Sequence, residues 1–297
     1  MVGAHVGRRA LGTQDRRGTR TAPPRSEAGS KGPEIEETPM NPLPFIVERS
    51  IIIEADPALV FSFFTNPERW AAWWGAGSTL EPRVGGAIRI VHSNGFVSTG
   101  EVFEFAPPRR FGFTFSMQHQ GVISPEDSRV SFTIEPHPKG TLARVRHAVA
   151  DKSVAALLPQ GWRFHLSLFA NAVSNLVNAD APKLVDAWFG LWTEPDSAAR
   201  STTLQAIASA DVTFRDAYSS LAGVEEIVLH IGAAQKFMPG VRLERRSPVR
   251  HCQGTALADW VALGPDGRQR MSGTNVFVMR RGRIESVTGV AAVAETI

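Results

Sequence analysis

Residues 159–177, "PQGWRFHLSLFANAVSNLV", predict the helix around which the first part of the chain folds. Apolar side chains recur in it at spacings of four and three, which places them on one helix face. They are Trp162, Leu166, Phe169, Val173 and Leu176. A helix with one apolar face must bury that face against another element, and we expect the preceding strands to be its partner.

The residues before this helix have the pattern of an antiparallel sheet. "FIVERSIIIEA", over 45–55, is rich in β-branched residues, and two short helices follow it, each preceded by an N-cap and a proline at Asp56-Pro57 and Asn66-Pro67. Strand-like runs separated by turn signals such as Asn94-Gly95 come next. The runs are "AIRIVHS", "FVSTGEVFEF", "RRFGFTFSM", "SRVSFTIEP" and "TLARVRHAV".

Three of the seven tryptophans, Trp70, Trp73 and Trp74, lie together just before the pair Gly85-Gly86. A tryptophan has a large apolar surface and a ring nitrogen that needs a partner, so it suits the edge of a core or the wall of a pocket. Two interpretations stay open: the indoles cap one end of a ligand cavity, or they fill the end of a small core. The glycines allow a sharp turn into the sheet.

These pieces, in this order, resemble the START-related (SRPBCC) helix-grip family, in particular the branch named after activators of a heat-shock-protein ATPase. The resemblance covers residues 45–178. It rests on "VERSIIIEADPALVFSFFTNPERWAAWW", "EPRVGGAIRI", "GEVFEFAPPRRFGFTF" and the late Gly161-Trp162. It implies an antiparallel sheet that grips a long C-terminal helix, with a ligand cavity between them.

Strand alternation predicts three polar side chains on the inner face of this sheet: His92, Glu101 and His147. With Trp162 and the three clustered indoles they form the candidate ligand-binding set of the first domain, because a few convergent polar groups orient a ligand in an apolar pocket. The alternative is that each one satisfies a buried neighbour. His92 and His147 lack an evident third metal ligand, so we expect no metal and no cofactor.

A second pattern begins at residue 180, with helices near "PKLVDAWFGLWT" and "SAARSTTLQAIA", a strand, a loop and a helix, and then successive strands. The order resembles the nuclear-transport-factor-like cone of SnoaL-like proteins and ketosteroid isomerases. "LVDAWFGLW", "ADVTFRDAYSSLAGVEEI" and "ALADWVALGPDGRQRMSGTNVFVMRRGRIESV" carry the resemblance. It implies a second α+β domain over 180–297, with a pocket between a bent sheet and helices.

The isomerase branch implies a general base at Asp216, which ends a strand of the pattern T-hydrophobic-x-D. The hydrogen-bond donors of that branch, a tyrosine and an acid, fall at Trp188 and Asn275, so this chain departs from the family there. Tyr218, the single tyrosine, is a candidate ligand-binding residue two positions later. The alternative role for Asp216 is a strand-end carboxylate that caps a turn.

Composition and charge exclude several classes of protein. The net charge is +3 and much of the excess lies in residues 1–40, which read as a disordered tail and make Met40 a candidate true start. No basic stripe indicates nucleic-acid binding, and no apolar run is long enough for a membrane span. Cys252 is the single cysteine, which fits a reducing, cytoplasmic compartment.

The sequence therefore predicts binding of a small hydrophobic or amphiphilic molecule in one or both cavities. The first alternative is a cyclase, isomerase or dehydratase that uses Asp216 as base. The second is a cochaperone-like regulator of a heat-shock ATPase. By resemblance we also expect a homodimer formed through the C-terminal domain.

Overall fold

The computed structural model describes residues 42–117 and 124–292. The predicted tail over residues 1–40, with the candidate start at Met40, lies outside the described residues, as do the last five residues of the second predicted domain. The described residues contain two sheets, each with helices on one side and with its own buried core. The fold class is therefore α+β, which confirms the sequence-based prediction.

The N-terminal module, residues 45–177, begins and ends with elements that pack on each other. Its strands and helices are β1 (Phe45–Ile53), α1 (Pro57–Phe61), α2 (Pro67–Trp74), β2 (Thr79–Leu80), β3 (Ala87–Val91), β4 (Val97–Ala106), β5 (Arg110–Thr114), β6 (Ser116–Met117), β7 (Ser128–His137), β8 (Gly140–Val149) and α3 (Lys152–Val177). The strand order is β1-β8-β7-β5-β4-β3-β2, and β6 pairs with β4. All pairs are antiparallel.

Helix α3 starts earlier than its apolar stripe indicates. It begins at Lys152, because the Asp151 side chain caps it by accepting hydrogen bonds from the Ser153 and Val154 amides at 2.7 and 3.0 Å. Pro159 therefore lies inside the helix and not at its start. Four of the five predicted stripe residues are buried, and Leu176, in the last turn, is 38% exposed.

Aromatic rings fill the space between α3 and the sheet. Phe64 stacks on Phe111 at 5.0 Å between ring centroids and lies 5.5 Å from Phe169 of α3. Trp73 lies 4.9 Å from the same Phe169 and 4.2 Å from Trp74. Rings at these separations are in van der Waals contact, so the aromatic cluster ties α2, α3 and the sheet together.

The turn that follows the tryptophans needs its glycines. Gly85 has a φ of +75°, in the left-handed region that favours glycine. A Cβ atom on Gly86 would lie 2.2 Å from the Glu81 carbonyl oxygen, which is closer than any real contact. The chain can therefore reverse into β3 only because both positions lack a side chain.

The C-terminal module, residues 181–291, has three helices and a second sheet. Its elements are α4 (Ala181–Leu191), α5 (Ser197–Ile207), β9 (Ala208–Arg215), β10 (Ser220–Ala222), α6 (Gly223–Phe237), β11 (Arg242–Arg245), β12 (Arg250–Cys252), β13 (Thr255–Leu263), β14 (Gln269–Arg280) and β15 (Arg283–Ala291). The order is β10-β9-β15-β14-β13-β11, and β12 pairs with β13. Strands β9 and β15 are parallel, whereas the other pairs are antiparallel.

The two modules meet between α3 and the hairpins of the second sheet. His251 of β12 and Asn175 of α3 are joined by a 3.2 Å hydrogen bond, and Arg280 is 3.3 Å from Glu54. The predicted domain boundary falls in the short connection between α3 and α4. None of the helices in the two described ranges has the length and apolar character that crossing a membrane requires.

We expect Trp73→Ala to lower the free energy of unfolding by about 3–5 kcal/mol, because it removes a buried indole from the centre of the aromatic cluster. Trp73 is 2% exposed, whereas Leu157 on α3 is 74% exposed. Urea unfolding followed by far-ultraviolet circular dichroism measures the change, with Leu157→Ala as the control. Equal effects of the two substitutions would show that the cluster does not stabilise the module.

Candidate functional site

The C-terminal module contains an open cavity of about 520 Å³ between its sheet and its helices. Strands β9, β11, β13, β14 and β15 form one wall, and α6 and Trp192, directly after α4, form the other. The walls are mainly apolar. Their apolar side chains include Trp192, Phe214, Ala234, Val241, Leu243, Trp260, Ala262 and Met271.

Two exposed aromatic residues lie at the opening of this cavity. Tyr218 and Phe237 both line it, and they are 80% and 87% exposed. Met238, next to Phe237, also lines it and is exposed. The structure therefore places Tyr218, a predicted ligand-binding residue, at the entrance and not in the interior.

Asp216 lies at the cavity wall, just after β9. Its Oδ1 atom accepts hydrogen bonds from the Tyr218 amide at 2.8 Å, the Ser219 amide at 2.7 Å and the Ser219 hydroxyl at 2.8 Å. These bonds form the strand-end turn that the alternative interpretation predicted. The Oδ2 atom has no hydrogen-bond partner within the described part of the chain, so one carboxylate oxygen caps the turn and the other does not.

Asn275 lies next to Asp216 because of the order of three strands. It is opposite Gly289 in the pairing of β14 with β15, and Arg215 at the end of β9 is opposite Thr288 of β15. A Cβ atom on Gly289 would lie 3.2 Å from the Asn275 Oδ1 atom and 3.4 Å from the Asp216 Cβ atom. Asp216 and Asn275, both predicted as site residues, therefore lie close together at the cavity wall, because Gly289 between them has no side chain.

Two tryptophans of the cavity wall have indole N–H groups without a hydrogen-bond partner. Trp192 Nε1 and Trp260 Nε1 are both buried, and neither meets an acceptor among the described residues. Trp70, Trp73, Trp74 and Trp188, which lie in packed cores, have the same unpaired indole nitrogens, so this feature does not by itself mark a ligand site. His230 of α6 completes this end of the wall, with its ring 6.0 Å from Trp192.

Trp188 does not reach the cavity. It is fully buried and packs on Phe214 and Phe277, with ring centroids at 5.5 and 6.2 Å. Trp192, four residues later on the same helix face, lines the cavity in its place. The i, i+4 spacing of two tryptophans in "DAWFGLW" is the signal that could have identified it.

The three clustered indoles of the N-terminal module lie in the packed core. Trp70, Trp73 and Trp74 are at most 3% exposed and contact one another at 4.2–5.6 Å between ring centroids. This geometry matches the core-filling interpretation of the tryptophan cluster. Their indole nitrogens are buried without a partner in the described ranges, so only their apolar surfaces are matched by neighbours.

His147 is a buried histidine with both ring nitrogens satisfied. Its Nε2 atom is 2.7 Å from the Ser128 hydroxyl, and its Nδ1 atom accepts a 3.1 Å hydrogen bond from the Trp162 indole. Because Nδ1 is an acceptor, the neutral ring carries its proton on Nε2 and donates to Ser128. Burial lowers the pKa of His147 to about 3 from its ordinary 6.5. His147 and Trp162, both predicted to bind a ligand, are thus hydrogen-bonded to each other.

His92 faces inward with a second histidine that the sequence patterns did not single out. Its Nε2 atom is 2.9 Å from the Ser98 hydroxyl, and burial lowers its pKa. The ring of His165, on α3, lies 5.5 Å from His92 and 4.6 Å from Trp74. Burial, and secondly the proximity of His92, lower the pKa of His165 to about 4. His165 directly precedes Leu166 of the apolar stripe, and this position is the signal that could have identified it as an inward-facing residue.

Glu101 is exposed, although strand alternation predicts that it faces inward. The register of β4 against β5 shifts between Val102 and Glu104, which is a β-bulge. The bulge puts Val102 in the core and reverses the alternation before Phe105, which packs against the core. Glu101 therefore lies apart from His92 and His147. Across the described ranges, no cluster of three or more His, Cys, Asp or Glu side chains could hold a metal ion.

The N-terminal module matches a known protein family. Residues 54–174 match the family described as Activator of Hsp90 ATPase homolog 1-like protein. No curated protein matches the chain. Helix α3 and the sheet that it covers make up most of the matched range.

Solved structures resemble the chain only in part. A SnoaL-like family protein from Agrobacterium tumefaciens C58 is 22% identical over 37% of this chain and 96% of its own, with a TM-score of 0.36. The Aha1 dimer from Colwellia psychrerythraea is 19% identical over 41% and 90%, also with a TM-score of 0.36. A protein from Mesorhizobium loti is 22% identical over 42% and 93%, with a TM-score of 0.38.

The buried His147 makes stability depend on pH. The unfolded chain binds a proton at this residue as the pH falls through 6.5, whereas the folded protein does so only near pH 3. The stability linked to His147 is therefore complete above pH 6.5 and is lost as the pH falls from 6.5 towards 3. Between pH 7.5 and 5 we expect a loss of about 2 kcal/mol from this group.

The substitution His147→Gln should remove that share of the pH dependence. Urea unfolding of both proteins at a series of pH values between 5 and 7.5 measures it. The comparison uses the slope of stability against pH, so a general destabilisation of the variant does not affect it. Parallel slopes for the two proteins would contradict the assignment.

Proposed function

We propose that the protein binds a small apolar or amphiphilic molecule in the cavity of its C-terminal module. The observation that carries the proposal is an open cavity of about 520 Å³ with apolar walls and a few polar groups, among them Asp216, His230 and Asn275. Sites for small molecules typically have volumes of about 300–1,000 Å³ and this mixture of apolar walls and convergent polar groups.

The two large indoles of the cavity wall support binding of an apolar body. Trp192 and Trp260 both line the cavity, and a molecule inside it would contact their rings. Because aromatic side chains fill the interior of the N-terminal module, we place binding in the C-terminal module and not in both.

The substitution Ala234→Phe should prevent binding, because it puts an aromatic ring into the cavity from α6. Ala234 lines the cavity, whereas Ala233, the next residue, is exposed and does not. Ala233→Phe is therefore a matched control. Titration with the neutral fluorescent probe N-phenyl-1-naphthylamine measures affinity, and native mass spectrometry of the purified protein detects a bound molecule. Equal binding by both variants would overturn the proposal.

A second candidate function is proton transfer next to a carbonyl, with Asp216 as the base. Its specific support is the arrangement of Asp216 and Asn275 on either side of Gly289 in an apolar cavity. The carboxylate Oδ2 atom would take the proton from carbon, and the Asn275 amide would donate a hydrogen bond to the enolate oxygen.

This candidate predicts that Asp216→Asn abolishes exchange of solvent deuterium into the carbon next to the carbonyl of a cyclic ketone, measured by NMR. Binding of N-phenyl-1-naphthylamine should change less than about twofold, since the side chain keeps its size. Asp211→Asn, at an exposed position of the same strand, is the control. Equal exchange in wild type and Asp216→Asn would exclude Asp216 as the base.

A further inference from the structure

A β-bulge places Arg270 at the cavity wall. Across the pairing of β13 with β14, Ala262 is opposite Met271 and Leu263 is opposite Gln269, so Arg270 is the extra residue of the bulge. Successive side chains of a regular strand point to opposite faces of the sheet. Arg270 and Met271 nevertheless both line the cavity. A bulge is the local change that re-aims a side chain in this way.

The ion pair between Arg270 and Asp266 is exposed to solvent and contributes little to stability. The Arg270 Nη2 atom is 2.9 Å from the Asp266 Oδ2 atom, and the two side chains are 51% and 43% exposed. Exposed pairs of this kind contribute at most about 1 kcal/mol. Asp266 also lies 4.0 Å from Arg268 and accepts the Arg268 amide at 3.1 Å. It would keep those contacts if Arg270 turned to a bound molecule.

The cavity has two different polar ends. Arg270 and Asn275 are five residues apart on β14, so their Cα atoms are separated by roughly 15 Å along the strand. Asp216 lies at the Asn275 end. Between the ends, the ring of Trp260 covers Gly273, where an added Cβ atom would lie 2.7 Å from the indole. A cationic end, an apolar middle and a hydrogen-bonding end therefore follow one another along the strand.

We infer that the cavity takes an amphiphile with one anionic group, of the carboxylate or sulfonate type, which binds Arg270. The apolar body lies along Trp260, and a polar group at the far end meets Asn275 and Asp216. The guanidinium of arginine binds such planar or tetrahedral anions through two parallel hydrogen bonds. The Asp216 carboxylate repels an anion at the other end, which fixes the orientation. This inference rests on the proposed cavity function.

Two probes that differ only by a sulfonate test the inference: 1-anilinonaphthalene-8-sulfonate and N-phenyl-1-naphthylamine. We expect Arg270→Gln to weaken the sulfonate about tenfold and the neutral probe less than twofold, since it removes one charge-assisted contact. Arg268→Gln is the matched control, because Arg268 also lies near Asp266 but does not line the cavity. Asp266→Asn should strengthen sulfonate binding, since it removes the competing carboxylate.

The outcomes separate this inference from the proposed function. If N-phenyl-1-naphthylamine binds and Ala234→Phe prevents it, while Arg270→Gln has no selective effect on the sulfonate, the cavity function stands and the anion inference is overturned. Equal losses for Arg270→Gln and Arg268→Gln would also overturn it, because they would show a general charge effect. If neither probe depends on Ala234, both proposals fail. Competition by decanoate but not by decanol would support the anion inference.

Discussion

The volume of the side chains on the inner face of each sheet determines what the two modules can do. In the N-terminal module, phenylalanine and tryptophan rings from the sheet, α2 and α3 meet across the interior. In the C-terminal module, small residues line the cavity on both walls: Ala262 of β13, Gly289 and Ala291 of β15, and Ala234 of α6. Small residues at these positions leave unfilled volume, whereas the large rings of the N-terminal module fill its interior.

Hydrogen bonding explains why two of the residues that resembled a ligand site belong to the core of the first module. His147 and Trp162 are hydrogen-bonded to each other, and His147 also contacts the Ser128 hydroxyl, so both nitrogens of its ring are satisfied. A satisfied network of this kind stabilises a core. In the second module, the Asp216 carboxylate uses only its Oδ1 atom in the strand-end turn, and its Oδ2 atom has no partner among the described residues.

The architecture could be predicted from the sequence because it depends on local patterns. Apolar periodicity identified α3, and alternation with turn signals identified the strands of both sheets. The failures come from single-residue shifts. A bulge in β4 moves Glu101 out of the interior. A bulge in β14 brings Arg270, which the sequence patterns did not single out, to the cavity wall, and no residue type marks either bulge. Trp188 and Trp192 share a helix face, so only the depth of packing decides which of them reaches the cavity.

The cavity needs a support that keeps its two walls apart, because small residues alone would let α6 move onto the sheet. Arg200 of α5, which is 5% exposed, provides such a support. Its Nη1 atom donates to the Glu194 carbonyl at 2.7 Å and to the Gln235 side chain at 3.1 Å. Gln235, on α6, donates in turn to the Trp192 and Glu194 carbonyls at 3.0 and 2.9 Å.

This network fixes α6, which carries His230 and Ala234, at a set position relative to Trp192. A buried guanidinium cannot leave its carbonyl partners without a large desolvation cost, so any inward movement of α6 is opposed. Gly232 is part of the same arrangement, because a Cβ atom there would lie 2.9 Å from the Arg200 Nη2 atom. The open volume of the site is thus maintained by the polar contacts of Arg200 and Gln235, neither of which lines the cavity.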